Sequence, residues 1–108
     1  MDKRANDRAV YRLDAKITSA GKTFDGSIEN VSEDGIEYLM TSLLKNPKDF
    51  TPNKIVDIDF QIPSGEIINL KCELKWHLEV ESHSKLMLGM IIINPHRKYK
   101  EFIRNLLN

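Results

Sequence analysis

The sequence predicts a mainly β domain: six strands in antiparallel order and one terminal α-helix, forming a closed or nearly closed barrel that the helix plugs or flanks. Three observations carry this. Apolar and polar residues alternate with a period of two through most of the chain, short turn-forming segments separate the alternating runs, and the period becomes helical only after Asn94-Pro95. At 108 residues the chain is about one domain's worth. It shows no internal repeat and no low-complexity segment.

The first alternating run carries Tyr11, Leu13, Ala15 and Ile17 against Arg12, Asp14, Lys16 and Thr18, and Ala20-Gly21-Lys22 turns it into a second strand over residues 23–29. Ile36, Tyr38 and Met40 give a shorter third strand. Residues 41–53, with Pro47 and Pro52, form a loop longer than a hairpin requires. Val56, Ile58, Phe60 and Ile62 alternate with Asp57, Asp59 and Gln61, and Pro63-Ser64-Gly65-Glu66 supplies turn chemistry into the longest run. There, over residues 68–80, every even position is apolar from Ile68 through Trp76 to Val80, so Trp76 is expected in the core. Residues 86–93 are apolar on both faces and read as a central strand. Tyr99, Phe102, Ile103, Leu106 and Leu107 then fall at helical spacing.

Composition excludes several functions. Sixteen basic residues balance sixteen acidic ones, so no global field gathers a long polyanion, as a non-specific nucleic-acid binder would require. The single cysteine, Cys72, cannot form an internal disulfide, and the charged start Met1-Asp2-Lys3-Arg4 is not followed by a signal-peptide core; a cytoplasmic protein is expected. The longest apolar run, residues 86–93, is far short of the roughly 18 residues that cross a bilayer, so no membrane span is expected. Asn30-Val31-Ser32 matches a glycosylation acceptor, which matters only in a secreted chain. Cys72, His77, His83 and His96 have no metal-binding spacing, and no nucleophile signature or phosphate loop is present. Neither metal, cofactor nor catalytic residue is expected.

Two segments remain. Lys3-Arg4-Ala5-Asn6-Asp7-Arg8 precedes the first strand, and Asn30-Val31-Ser32-Glu33-Asp34-Gly35 joins the second to the third. Alone, the first is an ordinary solvated tail and the second an ordinary strand connection. In this order they resemble the PilZ domain family, which carries Arg-x-x-x-Arg ahead of the first strand and (Asp/Asn)-x-Ser-x-x-Gly after the second. Arg4 and Arg8 match the first motif; Asn30, Ser32 and Gly35 match the second. Trp76 near the end of the long strand and the glycine in Leu88-Gly89-Met90 extend the likeness. Arg8 with Arg12 also satisfies the four-residue spacing, but Arg4 with Arg8 lets the strand's apolar register begin at Ala9 and puts Arg12 on the solvent face.

The resemblance implies a six-stranded antiparallel barrel with a C-terminal helix that binds cyclic di-GMP, in a bacterial cytoplasmic protein. It divides the chain into a flexible leader, residues 1–9, and a barrel with its helix, residues 10–108. Ligand-binding residues are then Arg4, Arg8, Asn30, Ser32 and Gly35, with Lys3 and Trp76 as further candidates. The chemistry agrees. A guanidinium pairs with phosphate, forks onto guanine O6 and N7 or stacks on a purine; Ser32 and Asn30 offer groups suited to base edges; Gly35 permits positive φ and close approach. A basic residue such as Lys3 before the motif accompanies an intercalated pair of ligand molecules in the family. With 108 residues leaving no room for an output domain, a separate protein effector is expected to read the ligand-induced change.

Two other functions fit a small barrel less well. A PilZ-like docking module without nucleotide binding would keep the barrel and lose the motif, whereas all five motif positions are filled. A single-stranded RNA-binding barrel would display aromatic residues on a basic strand face; Phe24, Tyr38, Phe60 and Trp76 instead share the apolar register of their strands.

Overall fold

The computed structural model describes residues 9–41, 51–80 and 85–107. Its strands are β1 (Ala9–Ser19), β2 (Lys22–Val31), β3 (Gly35–Met40), β4 (Ile55–Gln61), β5 (Ile67–Val80) and β6 (Lys85–Ile93), followed by helix α1 (Arg97–Leu107). They hydrogen-bond in the order β1-β2-β3-β6-β5-β4 with β4 returning to β1, so the expected antiparallel barrel is closed. Of the expected leader, residues 1–8 lie outside the described residues; Ala9 already belongs to β1 and pairs with Val31.

The inward positions predicted by alternation fill the barrel. Ile17, Ile28, Tyr38, Met40, Ile58 and Leu88 are fully buried, and Cys72 lies among them. Burial pushes the Cys72 thiol up to about 12, as expected of a cysteine serving as a small core side chain. Helix α1 covers one end of the barrel. Its Tyr99 and Ile103 are buried, Phe102 and Leu106 pack against the core, and the Tyr99 ring meets the Phe60 ring edge-on at 6.5 Å. The Tyr99 hydroxyl also reaches the Ser32 carbonyl just past the end of β2, so the helix is anchored at the same end of the barrel from more than one strand.

The β1–β2 turn places two consecutive residues at positive φ, Ala20 at 53° and Gly21 at 78°. A two-residue loop of this kind matches strand twist, but an L-residue with a Cβ pays for left-handed backbone where asparagine is tolerated. Ala20→Asn should therefore stabilise the protein by about 0.5–1 kcal/mol. Urea denaturation would register it as a higher midpoint at unchanged slope.

One expectation from alternation fails. Trp76 is 41% exposed and Leu78 58% exposed, so neither is core, whereas the aromatic register holds inward for Tyr38, Phe60 and Phe24, the last half-buried against the core opposite Ile17. The cause is a bulge in β5. Leu74 pairs with Met90 but Trp76 pairs with Gly89, leaving Lys75 as an extra residue that turns everything after it to the opposite face. Beyond Leu74, His77 and Glu79 take the barrel-side phase yet remain exposed. β6 pairs on both sides, with β3 and β5, as a central strand does, and its outward Ile91 is exposed.

Candidate functional site

The motif segment between β2 and β3 is a tight, heavily bonded turn. Ser32 N–H donates to the Gly35 carbonyl at 2.9 Å, and Gly35 N–H donates to Ser32 Oγ at 3.0 Å. The Ser32 hydroxyl in turn approaches Asp34 Oδ1 at 3.2 Å and the Gly35 carbonyl at 3.3 Å. Neighbouring elements clamp the turn: Ile92 N–H of β6 donates to the Asp34 carbonyl at 2.8 Å, and the buried Tyr99 hydroxyl of α1 donates to the Ser32 carbonyl at 2.6 Å. Burial holds the Tyr99 phenol far above its usual pKa, so it remains a donor at any ordinary pH.

This geometry revises two roles read from sequence. Ser32 is buried and its hydroxyl staples its own turn, so its first job is to shape the segment. Gly35 does not use positive φ, since among the described residues the glycines that do are Gly21 and Gly65. It is buried, pairing with Ile91.

Asn30 is placed differently, and a second bulge is responsible. Ile28 pairs with Tyr38 and Asn30 with Glu37, so Glu29 is extra and Asn30, which would otherwise share the inward phase of Ile28, turns to the outer face. The bulge in β5 does the same for Trp76. Register then places Asn30, Glu37, Gly89 and Trp76 in one row across the outer face of β2, β3, β6 and β5. At the ordinary strand spacing of about 4.8 Å, the row spans roughly 15 Å. Asn30 Nδ2 donates to Glu37 Oε1 at 2.7 Å. Gly89 is what lets the indole lie flat on the sheet, because a Cβ there would stand 2.1 Å from the Trp76 ring. Beside the ring is a hollow of about 110 Å³ whose lining includes Glu37, Lys75, Trp76, Gly89 and Ile91.

Arg4, Arg8 and Lys3 lie outside the described residues. Ala9, which follows Arg8, pairs with Val31 beside Ser32, so the described chain begins at the edge of the motif turn. Arg12 is otherwise engaged. Its guanidinium forks onto Glu29 at 2.8 and 3.1 Å, and Ser27 Oγ donates to the same carboxylate at 2.6 Å. The Arg12 hydrogen bond, with help from Ser27, holds the Glu29 carboxyl below its usual range. Sequence reasoning missed Glu37, Tyr99 and the outward position of Trp76. The glycine opposite a tryptophan was the available signal for the last.

Among the described residues, no group of three or more metal-ligating side chains is assembled, and no helix is long and apolar enough to cross a membrane.

The family model described as PilZ domain matches residues 2–108. Three solved structures share the fold. The Bacillus subtilis inhibitor of motility MotI/DgrA is 13% identical with a TM-score of 0.78, over 99% of this chain and 50% of that one. The K. pneumonia MrkH–c-di-GMP complex is 12% identical with a TM-score of 0.72, over 99% and 51%. The PilZ domain with c-di-GMP of YcgR from Escherichia coli is 11% identical with a TM-score of 0.71, over 98% and 90%. The chain thus spans about half the length of the MotI/DgrA and MrkH chains it matches. No curated protein matches it.

Proposed function

The chain belongs to the PilZ domain family, and from that premise we propose that it is a non-catalytic receptor for cyclic di-GMP that reports to a protein effector in the cytoplasm. The observation that carries the reading is the pair of bulges that turn Asn30 and Trp76 onto one outer row, next to the turn where the chain enters from Arg8. Bulges commonly re-aim side chains beside functional sites. Structures of MrkH and YcgR with c-di-GMP support the choice of ligand.

In this reading Asn30 meets a base edge, Trp76 supplies a stacking face, and Arg4 and Arg8 pair with phosphate or fork onto guanine. Ser32 and Gly35 hold the turn against which the ligand rests. Residues 1–8 have Met1 as their one large apolar side chain, too little to offset about 1–2 kcal/mol of backbone entropy per residue; they order when the ligand supplies contacts. The folded leader changes the surface offered to the effector, and Lys3 favours two ligand molecules per chain.

One observation favours the docking-module reading: Ser32 spends its hydroxyl inside its own turn, as a purely structural motif would. Titration with cyclic di-GMP, with GTP and a single-stranded oligonucleotide as controls, separates the readings. Saturable binding of cyclic di-GMP alone, with a change in Trp76 fluorescence, is the expected result. No binding would leave the docking module standing, and preference for the oligonucleotide would point to RNA.

A further inference from the structure

We propose that Glu37 selects the base: its carboxylate reads the Watson–Crick edge of guanine and rejects adenine, making the outer row a guanine-specific subsite. The inference rests on the receptor reading above and deepens it. Three features of the site bear on it. Glu37 lies between Asn30 and Gly89 in the row, so it stands between the amide that would meet the ligand and the glycine on which the Trp76 ring rests. Asn30 Nδ2 donates to Glu37 Oε1 at 2.7 Å, so the carboxylate is held toward the row. Glu37 and Trp76 also line the same hollow of about 110 Å³, too small for a nucleotide but suited to one edge of a planar base, with the rest of the ligand on the open face.

The chemistry discriminates by donor pattern. Guanine presents N1–H and N2–H₂ side by side, and a carboxylate is acceptor-only, so the two match. Adenine presents an unprotonated N1 at that position, which sets a lone pair against the carboxylate. A site built to bond particular donors rejects an analogue lacking them far more strongly than a shape-only pocket does. Lys75, at the β5 bulge and bonded to Glu73 at 3.0 Å, lines the same hollow; its cation suits guanine O6 and opposes the amino group adenine carries there.

The test compares cyclic di-GMP with cyclic di-AMP by calorimetry on the wild type, Glu37→Gln and Glu37→Asp. Wild type is expected to prefer cyclic di-GMP by at least a hundredfold, the scale of hydrogen-bond-based rejection. Glu37→Gln should weaken cyclic di-GMP about tenfold or more while leaving cyclic di-AMP unchanged or tighter, because a glutamine amide offers adenine both a donor and an acceptor. Glu37→Asp keeps the charge but withdraws it by one methylene, and should lose affinity for cyclic di-GMP without gaining cyclic di-AMP. Wild type that binds neither nucleotide overturns the receptor reading, and this inference with it. Wild type that binds cyclic di-GMP while both variants keep its affinity and preference overturns the inference alone.

Discussion

Replacing Arg8 with alanine is expected to weaken cyclic di-GMP binding by at least tenfold while leaving the barrel folded. A hydrogen bond to a charged group contributes about 1.5–3 kcal/mol, and each 1.4 kcal/mol is a factor of ten. Arg8 comes directly before Ala9, whose strand partner is Val31, so fewer bonds separate it from the sheet than separate Arg4, and it is expected to lose less freedom on engaging a ligand. Arg12 makes the natural control. Its guanidinium is forked onto Glu29, 73% exposed, and Arg12→Ala should break that surface pair while cyclic di-GMP affinity stays at the wild-type value. Calorimetry on both variants, with circular dichroism to verify folding, decides between the two registers of the arginine motif. Normal binding by Arg8→Ala with loss in Arg12→Ala would assign the pair to Arg8 and Arg12.

How far the sequence reveals this molecule depends on the range of the interaction. Strand identity rests on local alternation, which is why six strands and the helix were all legible, and why Ile17, Ile58, Cys72 and Ile103 are buried where periodicity puts them. A bulge leaves no such trace. It inserts one residue into a pattern that stays apolar at even positions, so Trp76 and Leu78 read as core until pairing with β6 shows Lys75 to be the extra residue. Asn30 shows the same limit from the other side. Its match to the family motif marked it as a candidate, but only the bulge at Glu29 explains how it reaches the outer face.

The site was legible as a motif and illegible as a mechanism. Asn30, Ser32 and Gly35 are found through their resemblance to the family motif, yet that resemblance gives no account of what holds Ser32 in place. The clamp from Tyr99 crosses 67 residues of sequence. In the helical pattern Tyr99 is one more apolar position, and nothing local distinguishes a tyrosine that fills space from one whose hydroxyl seals a distant carbonyl.

Tyr99→Phe is expected to damage the site through that missing hydroxyl alone. Phenylalanine keeps the ring that packs against Phe60, so the helix stays seated and only the 2.6 Å bond to the Ser32 carbonyl is lost. Ser32 is 1% exposed, and a buried carbonyl stripped of its donor costs about 1–3 kcal/mol. The strain falls on the turn, which is held elsewhere by the Ser32–Gly35 bonds and by Ile92. Loosening there must be reversed when ligand binds, so part of the lost stability reappears as lost affinity, about three- to tenfold if half the cost is shared. Hydrogen exchange locates the effect. The Ser32 and Gly35 amides should exchange faster in Tyr99→Phe, while amides of the β4–β5 hairpin keep their protection relative to global stability. A variant that melts earlier but binds cyclic di-GMP with unchanged affinity, after correction for the folded fraction, would reduce Tyr99 to a stabilising residue with no part in positioning the turn.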